Sequence, residues 1–353
     1  MNKQEVILSE NLESSVKRAI GRCAHDKIFI LTDKHTHLLC MPQLIGIPEL
    51  HTAIEICIEA DDISKTLDTL AHVWQVLSDK GATRHSLLIN LGGGMVTDLG
   101  GFAAATFKRG LNYINIPTTL LAMVDASVGG KTGINFNGLK NEVGVFAPAD
   151  SVLIDTNFLR TLDSYNFFSG YAEMLKHGLI STDEHWNELL AFNTEQIDYS
   201  YLKSLVGHSV HIKEDIVLQD PLEHGIRKAL NLGHTVGHAF ESLALAEKRP
   251  VLHGYAVAWG IVCELYLSTM NVGFPKEKLR KTVSFVKENY GTFYIDCDKY
   301  DTLYDFMQHD KKNVGDTINF TLLEDIGKIV INQTANKDNI FEMLDFYREC
   351  MGL

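Results

Sequence analysis

The stretch Ser86-Leu-Leu-Ile-Asn-Leu-Gly-Gly-Gly-Met-Val-Thr-Asp-Leu-Gly-Gly-Phe-Ala-Ala-Ala105 joins a short apolar run to a train of small residues through three consecutive glycines. The run up to Leu91 has the length and branched content of a buried strand, and a small-residue helix begins beyond the glycines. Glycines at such a junction let the backbone approach a pyrophosphate, and the helix N-terminus supplies unpaired N–H groups and a positive dipole end. The spacing is not G-x-G-x-x-G, so two readings stand side by side: a dinucleotide cradle built on Gly93 and Gly94, or a structural glycine turn.

The same texture extends to either side. Lys27–Asp33, Ala53–Ile58 and Leu111–Ile116 are further short apolar runs, and the helical pattern Ile63–Ser78 lies between two of them. This alternation predicts an α/β, Rossmann-like N-terminal domain with a parallel sheet. Beyond about residue 160 long amphipathic stretches take over, at 184–217, 227–247, 254–271 and 276–290, and they predict an all-helical C-terminal domain. The expected division of the 353 residues is 1–160 and 161–353.

Composition narrows the function. Lys and Arg number 32 against 45 Asp and Glu, a net charge of -13, which disfavours nucleic acid and anionic membranes as partners. The six cysteines form no C-x-x-C pair, and no run approaches the roughly 20 apolar residues of a bilayer span. A reducing, cytoplasmic setting is expected. Against this acidic background Arg109, Lys131, Lys140 and Asn141 gather near Asp125 in a glycine-rich region, a concentration of cations suited to an anion such as a phosphorylated substrate. Taken singly each lysine reads first as a solvated surface charge, and it is their convergence that points to an anion. Gly129-Gly-Lys-Thr132 resembles half of a Walker A loop, but Asp125 stands where that loop needs its first glycine. Thr118 and Thr119 offer hydroxyls where another strand ends, or simply form its turn.

The C-terminal half holds a metal-ligand pattern. Gly170-Tyr-Ala-Glu-Met-Leu-Lys-His177 puts Glu173 and Lys176 on one helix face, His234 and His238 lie one turn apart, and His253 opens a further helix. One carboxylate with two imidazoles from three helices suits zinc with open positions for substrate oxygens, although with 15 histidines a packing role is the competing reading.

In order and spacing, the motifs around Gly92–Ala105, Arg109-Gly, Pro117–Asn135, Lys140-Asn, Gly170–Gly178, Leu230–Glu241 and Leu252-His-Gly resemble the 3-dehydroquinate synthase family over roughly residues 27–330. The resemblance implies a homodimer that binds NAD and Zn2+ (or Co2+), with an active site between its two domains. It implies conversion of 3-deoxy-D-arabino-heptulosonate 7-phosphate into 3-dehydroquinate and phosphate, in the shikimate pathway of aromatic amino acid biosynthesis. Carried over position by position, Glu173, His234 and His253 hold the metal. Asp62, Lys65, Gly93, Gly94, Asp98, Thr118, Thr119, Phe158 and Thr161 hold NAD, with Lys131 and Lys140 at the border of cofactor and substrate. Arg109 from the partner subunit, Lys131, Asn141 and a lysine of Asp310-Lys-Lys312 take the phosphate end, while Lys213 and Arg227 take the carboxylate. Lys140, Lys176, Asn231 and His238 surround the ring hydroxyls, and Asp125 supports the network. Thr97, Asp62 and Tyr255 depart from the family pattern of Gly, Glu and Glu. The alternatives weighed are a related cyclase acting on sedoheptulose 7-phosphate or glucose 6-phosphate, a metal-dependent polyol dehydrogenase, and a catalytically silent binding protein.

Overall fold

The computed structural model describes residues 4–137, 139–309 and 317–353. It forms two compact units, one made of the chain up to residue 163 together with 199–210, the other of 164–198 together with the chain from 211 onward.

In the first unit, strands β1 (Glu5–Leu8), β2 (Ile28–Asp33), β3 (Ile54–Ile58), β4 (Leu87–Gly92) and β5 (Asn112–Pro117) are followed by a hairpin of β6 (Lys131–Phe136) and β7 (Leu139–Phe146) and by β8 (Ser151–Ile154). Helices α1 (Leu12–Gly21), α2 (Lys34–Leu39), α3 (Leu67–Asp79) and α4 (Gly94–Thr106) alternate with them. The main sheet has six strands in the order β1-β8-β5-β4-β2-β3, all parallel, with Phe29 beside Ile54 and Leu87 beside Asn112. Every residue of β2 and β4 is buried, which is why both read as continuous apolar runs. The four runs expected as strands are β2 to β5; β1 and β8, only four residues each, carry too short a pattern to stand out.

Strand order reverses between β2 and β4, so the glycine-rich turn after β4 lies at the kind of switch point where open α/β sheets bind ligands. Helix α4 packs tightly there: a Cβ on Gly100 would stand 2.0 Å from the Asn90 amide oxygen. Asn90 is buried and donates to Asn115 on β5, so it has little freedom to yield.

The second unit contains α5 (Ser164–Leu179), α6 (Asp183–Ala191), the later part of α7 (Tyr199–Gln219), α8 (His234–Ala246), α9 (His253–Asn271), α10 (Lys276–Tyr290), α11 (Tyr300–Gln308) and α12 (Lys337–Met351). Helix α9 is buried along most of its length and packs against α5, α8, α10 and α12. The expectation of an all-helical region needs one correction, because β9 (Asn319–Asp325) and β10 (Lys328–Thr334) form an antiparallel hairpin. Its turn contains Gly327 at φ +74°, and the Ser268 hydroxyl on α9 accepts the Leu323 N–H. The stretch 184–217 is also not one helix. Asn193 accepts from the backbone N–H groups of Glu195 and Gln196, a local bond that competes with helical pairing and separates α6 from α7. Likewise 227–247 begins as a 3-10 turn, Ile226–Asn231, before α8 starts. Among the described residues no helix is long and apolar enough to cross a membrane.

Candidate functional site

The second unit brings Glu173, His234 and His253 together from three helices. Glu173 is fully buried on α5, and its Oε1 lies 3.4 Å from His234 Nε2 and 3.5 Å from His253 Nε2. Ligand atoms of a tetrahedral zinc with bonds of about 2.0–2.1 Å stand about 3.3 Å apart, so these separations match two edges of such a site. Glu173 Oε2 meets the ammonium of the buried Lys176, while Oε1, turned to the two imidazoles, makes no hydrogen bond of good geometry among the described residues, which suits an oxygen shaped for a cation.

Both imidazoles are already oriented. The Nδ1 of His234 donates to the Leu232 carbonyl at 3.1 Å, and the Nδ1 of His253 donates to Glu241 at 3.3 Å. Each therefore keeps a proton on Nδ1 and turns Nε2 toward Glu173, where a metal would displace any proton held there. Without a metal, the charges favour the protonated ring of His253. Burial pushes the Glu173 carboxyl upward, but Lys176 beside it, then His234 and His253, bring it well below the usual range. Burial lowers the basicity of His253, and the carboxylates of Glu173 and Glu241 reverse this and push it up to about 10. His238, a turn beyond His234, completes an imidazole cluster, with all three rings offering nitrogens within 4.8 Å of one another.

Glu241 is the residue that reading by sequence missed. Its signal was present, since His234, His238 and Glu241 share one face of α8 at i, i+4 and i+7. Tyr255, in place of a family carboxylate, packs against Tyr165, Trp259 and Tyr290. Lys213 on α7 and Arg227 are buried. Arg227 donates from Nη1 to the Pro221 carbonyl at 2.6 Å, and its own backbone N–H is held by Asp220, while Asn231 donates to Glu223.

In the first unit, Gly93 caps α4 without a side-chain bond, leaving the helix start open to an anion. A Cβ on Gly93 would come 3.1 Å from the Thr119 methyl, so any side chain there would press on Thr119 and narrow the cradle. Thr118 is buried and bonds through its N–H to the Gly92 carbonyl. Thr97 is turned inward, buried, with its hydroxyl on the Gly94 carbonyl. Beside this turn the buried Lys65 bridges Asp98, at 2.6 Å, and Asn141. Asp62 lies 3.6 Å from Lys140, both at the surface. Phe158 is buried, and the Thr161 hydroxyl donates to its carbonyl. Asp125 sits in a π-helical turn, Ala122–Ala126. Arg109 and Lys131 are exposed, Arg109 at φ +70°. The candidate lysines 311 and 312 lie outside the described residues.

The sequence model described as 3-dehydroquinate synthase N-terminal matches residues 55–169, and that described as 3-dehydroquinate synthase C-terminal matches 170–313. A 3-dehydroquinate synthase of Parabacteroides distasonis is 56% identical over 353 residues, covering all of both chains. One of Clostridium tetani is 33% identical over 98% of this chain and 92% of its own. Among solved structures, 2-epi-5-epi-valiolone synthase from Streptomyces hygroscopicus with NAD+ and Zn2+ bound superposes with a TM-score of 0.84 at 25% identity, covering 99% of this chain and 98% of the other.

Replacing His234 with Ala removes one edge of the proposed ligand set. The variant is expected to lose tightly held zinc after dialysis against a chelator, while the parent retains about one ion per chain. Equal metal content in parent and variant, read by elemental analysis, would rule out this ligand assignment.

Proposed function

The chain belongs to the 3-dehydroquinate synthase family and is a phosphate-eliminating carbon–oxygen lyase; we propose that Glu173, His234 and His253 hold its metal and that the turn at Gly93 and Gly94, with Asp98 and Lys65, holds its NAD. The substrate is 3-deoxy-D-arabino-heptulosonate 7-phosphate and the products are 3-dehydroquinate and phosphate. The observation that carries the assignment is the buried Glu173 carboxylate with two oriented Nε2 atoms at 3.4 and 3.5 Å.

When bound, the metal would supply a Lewis acid to lower the pKa of the hydroxyl to be oxidised, and NAD would supply a reversible hydride acceptor. The remaining work is positioning. We assign the substrate carboxylate to Lys213 and Arg227, cations buried in the same unit. Lys140, Asn231, Lys176 and His238 take the ring hydroxyls, and His238 carries a proton between them and solvent. Lys131, Asn141 and Arg109 take the phosphate end, with Asp125 holding the surrounding hydrogen bonds, Thr118, Thr119, Phe158 and Thr161 on NAD, and Asp62 toward its adenosine. The departing phosphate can accept the proton released with it, so a site of this kind needs many cations and few general bases.

A homodimer fits the surface of the first unit. All eight residues of β7 are exposed, among them Leu139, Val143, Val145 and Phe146, and among the described residues β7 pairs with β6 alone, which leaves its other edge open. An apolar edge strand of this kind invites pairing with a second copy. Arg109, exposed on the same unit, is the residue this dimer would lend to its partner. The six free cysteines support a cytoplasmic setting.

Turnover should require NAD and yet accumulate no NADH, as followed by absorbance; NADH formed in proportion to substrate consumed would identify a dehydrogenase instead. Arg227→Ala leaves a desolvated carboxylate short of one partner, at a cost of roughly 2–5 kcal/mol, so kcat/KM on the heptulosonate phosphate should fall by about 10²-fold or more. Arg227→Lys should also be impaired, since a point charge cannot replace a planar fork. Unchanged kinetics in Arg227→Ala, or faster turnover of sedoheptulose 7-phosphate by the parent, would favour the related cyclase. Val143→Asp is expected to shift the sedimenting species from dimer to monomer; a parent that sediments as a monomer would refute the assembly.

A further inference from the structure

The N-terminus of α8 is capped from another helix. Gly233, the residue before His234, has a left-handed backbone, φ +80°, and brings no side chain to the helix start. Glu264, fully buried on α9, supplies the cap. Its Oε2 accepts the Gly233 N–H at 2.6 Å, and its Oε1 accepts the N–H groups of Thr235 and Val236 at 2.9 and 3.2 Å. His234 is thus flanked on both sides by amides gripped by one carboxylate. The grip is possible because the two backbones nearly touch: a Cβ on Gly260 would stand 2.0 Å from the Gly233 carbonyl oxygen.

We infer that Glu264 is a positioning residue of the metal site, holding the backbone of His234 so that its Nε2 stays at ligand distance from Glu173. This rests on the reading of Glu173, His234 and His253 as metal ligands. Charge at a helix N-terminus and three bonds to an ionised acceptor make the cap stiff. The His234 ring is also anchored through Nδ1 to the Leu232 carbonyl, which belongs to the same turn. Loosening the cap therefore moves the ligand as well as the helix start. An ordinary stabilising contact would not do so. Ser268, one turn beyond Glu264 on α9, is buried and bonds the Glu264 carbonyl and the Leu323 N–H, yet touches nothing at the start of α8 that these bonds describe.

The test compares Glu264→Gln and Ser268→Ala with the parent, reading zinc dissociation constants by competition with a chromogenic chelator, NAD affinity and thermal stability of the metal-free proteins. Glu264→Gln keeps the volume but turns an NH2 group toward one set of backbone donors. It should weaken zinc binding by about 10- to 100-fold, the usual effect of losing a partner behind a metal ligand, with NAD affinity unchanged. Excess zinc should restore its kcat with the KM of the parent. Ser268→Ala should lose thermal stability and keep the parent's zinc affinity. Glu264→Gln binding zinc as tightly as the parent, or Ser268→Ala weakening it equally, would overturn the inference. If Glu264→Gln does not fold, Glu264→Asp, which keeps the charge but is one methylene short, is read in its place. Failure of both to fold makes Glu264 a folding residue only and also overturns it. A parent that binds no zinc refutes the ligand assignment itself, which separates the two failures.

Discussion

A carboxylate taken wholly out of water must meet positive charge, and Glu173 is such a group. Much of the second unit is arranged around that requirement. Lys176 stands on the same helix one turn away, and the first turns of α8 and α9 bring His234 and His253 to the same oxygen. Because both rings are pinned through Nδ1, the positive charge arrives in a form that a divalent metal can replace. A buried ion pair contributes little net stability, so the value of this arrangement lies in the geometry it imposes.

The first unit meets a different demand. An anion has to be held by a protein whose net charge is -13. On the proposed assignment local groups provide the field: an open helix start and a backbone left approachable because Gly93 has no side chain, with the buried Lys65 and its partner Asp98 beside them. Lys65 is itself held by Asp98 and Asn141, so residues assigned to cofactor and to substrate share one network. A substitution at any of the three would disturb both assignments.

Much of this was legible in one dimension. Buried parallel strands such as β2 and β4 are apolar on both faces and declare themselves as runs; helix starts that carry His234 and His253 are marked by glycine. What escaped were features whose signal is short or local. The four-residue strands β1 and β8 have too little pattern, and the break after α6 depends on one asparagine side chain outcompeting the helix. The hairpin of β9 and β10 was hidden by the helical texture around it, although Gly327 marks its turn.

The sequence by itself determined the class of each unit and the chemical types at the site, because periodicity and motif spacing are properties of the chain taken locally. It also carried the family, through motifs in order at compatible spacing. Tertiary structure alone decided which groups face one another. That Glu241 orients His253, that Glu264 caps the helix of His234 across 31 to 28 positions, and that Lys65 joins Asp98 to Asn141 follow from helices and strands packing at particular distances. Hydrogen bonds act over about 3 Å, and only the folded chain brings residues so distant in sequence within that range.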